Sequence, residues 1–287
     1  MTPNASGGRY LDSKRAYRTQ LRELLQIGDR VRRFDELQQY IVGHSNLPGP
    51  RGNLELAAAW AEVVAAHAHS GNESLWPLLL KMASVSASQA PVNDPREMVA
   101  FCGALGVGVL GAASEVRSHE ALVVLRSLAR DPRWRMREGV AMALQQMLLL
   151  CTETTLGELQ GWVSGGNWLE MRAAAAGLAE PSVLQQQGVG VAALRLHERI
   201  LAAVETCADR KDDAFRVLRK GLAYTLSVIV SRVPEEGFAV LEKLVATGDP
   251  DVLWIVKQNL TKKRLAGPFP GRVEALRNLL RSEAPST

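Results

Sequence analysis

Three tryptophans each stand about one helical turn ahead of a cation: Trp134 with Arg137, Trp168 with Arg172, and Trp254 with Lys257. Spacings of three and four put both side chains on one helix face. An indole face can stack on a base or sugar while a guanidinium or ammonium holds phosphate, so the repeated pair has the chemistry of a polyanion contact. Arg135 adds a second cation beside Trp134. No tryptophan is followed one turn later by an aspartate. The acid that comes closest to a general acid/base position is Glu138, four after Trp134. A further cation, Arg51, sits in Leu47-Pro48-Gly49-Pro50-Arg51-Gly52-Asn53. There the two prolines restrict the backbone and leave it little entropy to lose when a partner is bound.

Other machinery is missing from the pattern. Gly106, Gly108 and Gly111 have the G-x-G-x-x-G spacing, but a dinucleotide site needs a strand before the motif and a helix opening on it. The preceding residues 96–105 have a helical pattern instead, which points to close helix packing at these glycines. There is no H-E-x-x-H, C-x-x-C, Gly-Lys-Ser/Thr phosphate loop or G-x-S-x-G elbow. Cys102, Cys151 and Cys207 are far apart and odd in number, which argues for reduced thiols. His67 and His69 point to different faces of a helix, so neither metal nor cofactor is expected. Asp212 and Asp213 fall at a helix start and read as cap and dipole partner.

The elements that must carry these residues are helices. In 287 residues 47% are apolar but only 5% aromatic, so burial falls to Ala, Leu and Val, residues that let helices approach closely. The periodicity predicts helices over about 13–27, 34–41, 54–68 with Asn53 as cap, 74–83, 95–109, 118–129, 133–150, 154–163, 168–178, 191–206, 213–232, 235–246, 252–264 and 272–281. From residue 93 onward they come in pairs joined by short turns, which divides the chain into a less regular helical cap, 1–92, continuous with a repeat region, 93–287. In Asp131-Pro132-Arg133-Trp134 an acid and a proline stop one helix and start the next, with Asp131 as cap and Pro132 in the first turn. Gly248-Asp249-Pro250-Asp251 repeats the device.

Both ends are basic. Residues 1–51 carry nine Lys/Arg against five Asp/Glu and residues 257–287 seven against two, within a net charge of +4. No apolar run is long enough for a membrane span, and the first twenty residues, with Arg9, Lys14, Arg15 and Arg18, lack a signal-peptide core. A cytoplasmic location with no membrane partner is expected.

The run 131–144, and more loosely 249–260, resembles HEAT repeats, in which an acid in the turn and a basic residue early in the second helix form a ladder between neighbouring repeats. The resemblance implies an all-α, α-α superhelix of about six helix pairs, with Asp131, Arg137, Asp251 and Lys257 as ladder residues. It also implies a non-enzymatic scaffold that binds a protein or nucleic acid on a concave face lined by Arg135, Arg172, Lys257 and the tryptophans Trp134, Trp168 and Trp254. In size, helix content and tryptophan-plus-cation helix starts the chain is also similar to bacterial alkylpurine DNA glycosylases built of HEAT-like repeats. That likeness implies DNA-facing roles for Trp168 with Arg172 and for Trp254 with Lys257, and leaves Glu138 as the candidate acid for an alkylation-repair activity.

Overall fold

The computed structural model describes residues 5–68, 74–113 and 115–282, with side chains from Lys14 onward. The side chains of Arg9 and His69 lie outside the described residues. The described chain is all-helical, without a strand, and no described helix is long and apolar enough to cross a membrane. It folds as two compact units, Met1–Thr154 and Thr155–Thr287.

The first unit holds α1 (Ala5–Leu25), α2 (Arg30–Gly43), α3 (Leu54–Ala68), α4 (Leu75–Ala83), α5 (Glu97–Gly111), α6 (Glu115–Leu128), α7 (Trp134–Leu150) and the start of α8 (Thr152–Ser164). Its packing skips one helix at a time. Helix α1 lies on α3, α3 on α5 and α5 on α7, while α4 and α6 pack against α5 from outside that row. Of the helices within residues 1–92, α1 and α3 lie in the same row as α5 and α7. This alternation is how helix pairs bury faces that no single pair can cover.

Helix α5 is the centre of the unit and is buried nearly all round, as its uniformly apolar sequence requires. The glycine series makes this possible. A Cβ on Gly103 would stand 2.2 Å from the Ala83 backbone nitrogen of α4, one on Gly106 2.4 Å from Leu79, one on Gly108 2.5 Å from Ala143 of α7, and one on Gly111 2.3 Å from Ala121 of α6. Each glycine admits a different neighbour, so close packing is what the series performs. Trp60 of α3 completes the contact by donating its indole N–H to the Cys102 carbonyl at 2.8 Å. Burial pushes the Cys102 thiol far above its usual range, which leaves it unreactive.

The second unit holds the rest of α8, then α9 (Trp168–Leu178), α10 (Pro181–Leu184), α11 (Val189–Glu205), α12 (Asp213–Arg232), α13 (Pro234–Ala246), α14 (Pro250–Leu260), α15 (Lys263–Ala266) and α16 (Pro270–Ser282). The same alternation recurs in α9 on α12, α12 on α14 and α14 on α16, with α11 and α13 packed alongside. Sequence caps account for the starts. Asn167 accepts from the amides of Leu169 and Glu170, Asp212 from that of Phe215, and Asp249 from those of Asp251 and Val252. In the first unit Asn53 caps α3 by accepting from the Leu56 amide at 3.0 Å.

Several boundaries differ from expectation: α1 begins at Ala5 rather than near residue 13, and α2 at Arg30 rather than near Phe34. Helix α14 stops at Leu260 instead of reaching Arg264, because the Asn259 carbonyl takes the Lys262 amide three residues on and closes the last turn. The single turn α10 was not expected, being too short to show a period.

One buried histidine makes the stability of this unit sensitive to pH. The His197 ring, wholly buried, contacts the Ala193 carbonyl with Nδ1 and the Thr225 hydroxyl with Nε2, both at 3.0 Å. Neutral imidazole satisfies both contacts, with Nδ1–H donating and Nε2 accepting. Burial pulls its pKa down to about 4, slightly opposed by the Ala193 carbonyl. The unfolded chain then binds the extra proton between its own ordinary value and pH 4, so the contribution is complete above about pH 6.5 and is lost as pH falls towards 4, roughly 3 kcal/mol in all. Urea midpoints at pH 7 and pH 4.5 should differ more for the native chain than for His197→Gln. Equal differences would show that His197 does not titrate this way.

Candidate functional site

The tryptophan and cation pairs of the sequence find other partners in space. Trp134 is 43% exposed, and the guanidinium over its ring, at 4.2 Å, belongs to Arg135 rather than to Arg137. Trp254 is half-buried beneath the Arg219 guanidinium of α12, at 3.8 Å, rather than beside Lys257. Trp168, also half-buried, packs edge-on against Phe215 of α12 with ring centroids 5.5 Å apart. Arg172 passes close to Gly221 of α12.

Arg135 is expected on an open surface and is instead 3% exposed. It donates to the wholly buried Glu97 carboxylate of α5 at 3.0 Å and to the Gly49 carbonyl at 2.5 Å. Glu97 also accepts from the Asn93 amide at 3.1 Å. The pair thus fastens the 44–53 loop and the start of α5 to α7, a cross-brace that leaves Glu97 Oε1 and Arg135 Nε without partners. Asp131 does not cap α7, whose first helical residue is Trp134. Its carboxylate takes the Arg133 amide at 2.7 Å and the Arg133 guanidinium at 2.7 Å. Pro132 accordingly lies outside the helix. Arg133 reaches on to the carbonyls of Val85 and Ala90, and Arg137 turns back to those of Asp131 and Pro132. Glu138 is partly exposed, is engaged with other groups, and lines none of the four cavities described below.

In the second unit the acids of the Asp249–Asp251 turn collect two arginines from upstream. Arg210 contacts Asp249 at 2.5 Å and Asp251 at 2.7 Å, and Arg219 Nε lies 2.6 Å from Asp251 as a charge contact without an aligned hydrogen bond. Burial alone would push the Asp249 carboxyl up, but Arg210 and the amides of Val252 and Asp251 outweigh it and hold it below the usual carboxylate range. The hydrogen bonds that Arg210 donates to Asp249 and then to Asp251 raise its guanidinium in turn. Asp251 therefore joins α14 to α12. Its partners lie 32 and 41 residues away, and no local spacing in the sequence could have named them. Lys257 takes no part in this contact; it is exposed and makes no ion pair among the described residues.

A further exposed row of the second unit lies on α12. On α12, Arg216, Lys220 and Tyr224 succeed one another at four-residue steps and all are exposed, Tyr224 by 48%. Arg264 of α15 stacks on the Tyr224 ring at 4.5 Å and donates to its hydroxyl at 2.8 Å. The Arg219–Trp254 stack lies between α12 and α14, the helix that carries Lys257. Sequence reasoning missed Lys220, Tyr224 and Arg264; the four-residue step from Lys220 to Tyr224 was a usable signal, whereas the Arg264 contact was not.

Among the cavities on the described surface, four are well defined. Arg51 lines one of about 450 Å³ with Tyr17, Asn46, Asn53 and Glu55. Asn53 there is held by the Tyr17 hydroxyl and the His44 carbonyl. A second, about 260 Å³, lies between α8 and α11 beside Arg195 and Arg199. The remaining two adjoin one another at α2 and α4. Among the described residues no three His, Cys, Asp or Glu side chains gather as they would around a metal ion. No family model, curated protein or solved structure matches this chain.

Proposed function

We propose that this chain is a HEAT-like α-solenoid scaffold, non-enzymatic, that binds a macromolecular partner along its inner row of helices. The observation that carries the reading is the exposed row Lys220–Tyr224 of α12 with Arg264 of α15 stacked on Tyr224, set on an alternately packed helical frame. Rigid presentation lowers the entropy lost on binding. In the first unit the buried Arg135 plays a bracing part, tying α7 to Glu97 of α5 and to the Gly49 carbonyl.

A second reading, nucleic-acid binding of the kind implied by the likeness to alkylpurine DNA glycosylases, is favoured by one specific feature. The Arg264–Tyr224 stack beside Lys220 combines a base-stacking platform with phosphate contacts. Glycosylase activity would rest on Glu138, and its engagement with neighbouring groups supports the non-catalytic form.

Fluorescence anisotropy with duplex and single-stranded DNA separates the two. Nucleic-acid binding should weaken linearly in log K against log salt, and Lys220→Gln and Lys257→Gln should each flatten the slope by about 0.9 on duplex. Tyr224→Ala should cost roughly 1–3 kcal/mol on single strands if bases stack there. No binding at low salt would remove the nucleic-acid reading and leave a protein partner.

A further inference from the structure

We propose that the groove between α2 and α4 docks an acidic amphipathic helix of a protein partner, an inference that rests on the scaffold reading and specifies where one protein partner engages. The groove consists of two adjoining depressions, about 160 Å³ and 340 Å³, that share Phe34 and Lys81. The smaller is floored by Val31, Phe34, Pro77 and Leu78. Val31 is 66% exposed, three residues and so about one helical turn before the buried Phe34 that lines the same depression. Sites for drug-sized molecules run to roughly 300–1,000 Å³, so the smaller depression has the scale of a pocket for one apolar side chain. The larger, flanked by Gln38, Ser84 and Gln89, is more polar. An apolar anchor followed by polar flanks is how a helix is read in a groove, by residues spaced i, i+3 and i+4.

Charge identifies the partner. Arg30, Arg33, Lys81 and Arg96 line the two depressions, and no carboxylate lines either. Arg33 is fixed by the Ile27 carbonyl at 2.6 Å and the Ser74 hydroxyl at 3.3 Å, and Arg96 by Asp94 at 2.6 Å. Lys81 lies over the Phe34 ring at 3.7 Å and, like Arg30, has no ion-pair partner among the described residues. No described carboxylate pairs with Lys81 at the junction of the two depressions, which favours a partner's carboxylates flanking an apolar anchor. A basic or neutral helix would leave Arg30, Lys81 and Arg33 facing repulsion or desolvation.

The test uses the full chain and a fluorescein-labelled helical peptide with leucines at i, i+3, i+4 and i+7 and glutamates on both flanks, beside a copy in which lysine replaces every glutamate. The glutamate peptide should bind saturably and the lysine copy at least tenfold more weakly. Val31→Glu and Lys81→Glu, both at exposed positions, should each lower affinity for the glutamate peptide about tenfold or more, with unchanged melting curves. Lys257→Glu, on the other unit, should leave peptide binding as it was while weakening any nucleic-acid binding, so that failure of the groove and failure of the nucleic-acid reading register separately. Equal binding of both peptides, or insensitivity to Val31→Glu and Lys81→Glu, would overturn the proposal. So would groove-dependent attachment to phosphatidylserine vesicles in place of the peptide, or self-association of the native chain lost on Val31→Glu.

Discussion

Gly103→Ala should destabilise the first unit by about 3 kcal/mol or more, the largest loss expected from any single added methyl group in this chain. The new Cβ would lie 2.2 Å from the Ala83 nitrogen, 2.6 Å from the Met82 carbonyl carbon and 2.7 Å from the Ala83 Cα. All three are backbone atoms, so no side chain can swing aside, and α4 and α5 must separate. That separation would also loosen Gly106, which faces Leu79 of α4 and the Trp60 indole. Helix propensity works the other way, since alanine in a helix interior is favoured over glycine by roughly 1 kcal/mol. The control is Gly157→Ala in α8, where nothing lies within 4 Å of the added Cβ; it should gain about 0.4–1 kcal/mol. Thermal melts followed by circular dichroism would show a fall of roughly 10 °C for Gly103→Ala and a small rise for Gly157→Ala. A Gly103→Ala melt within about a degree of the native one would mean that α4 and α5 are not in contact as described.

Breaking the Glu97–Arg135 pair should be nearly as costly. Removing one partner of a buried pair leaves the other charge uncompensated, at about 3–5 kcal/mol, so Arg135→Met and Glu97→Leu should each shift the denaturant midpoint strongly. Glu97 is wholly buried and Arg135 nearly so, and each already has one unpartnered polar atom. The double variant should therefore recover much of the loss, because an apolar pair has no such orphaned atoms. It will not recover all of it, since the Gly49 carbonyl and the Asn93 amide lose their partners as well. In Arg135→Met, amide hydrogen exchange should quicken in residues 46–52 before the core of α5 is affected. Strictly additive single losses in the double variant would argue against a direct coupling.

Most of the fold was legible in the sequence, and particular residues show why. Asn53, Asn167 and Asp212 cap their helices as side chains do within three residues of themselves, a local event governed by local spacing. The bounds of α3, α9 and α12 follow from apolar periodicity and those caps alone. Gly106, Gly108 and Gly111 lie within α5 and admit close neighbours, as the helical pattern before them implies. The stop of α14 at Leu260 was missed because periodicity continues through Lys262 and Lys263 while the hydrogen bonds do not.

The candidate site was legible only in part. Its residue types, tryptophan with arginine or lysine, and its exposed Lys257 could be named from the chain. Which cation meets which indole could not. Spacing fixes the face of a helix on which a side chain lies, but the neighbour it meets depends on how helices far apart in sequence are brought together, as with Arg219 over Trp254, 35 residues apart. Burial is decided the same way. Arg135 is as polar as Lys257, yet packing of α5 and the 44–53 loop encloses one and leaves the other in solvent. The sequence by itself determined an all-helical chain, its caps, its close-packed glycines and its supply of cations. Which cations are buried in braces and which stay exposed follows from the tertiary structure alone, because burial and pairing are properties of contacts between distant segments, not of the segments themselves.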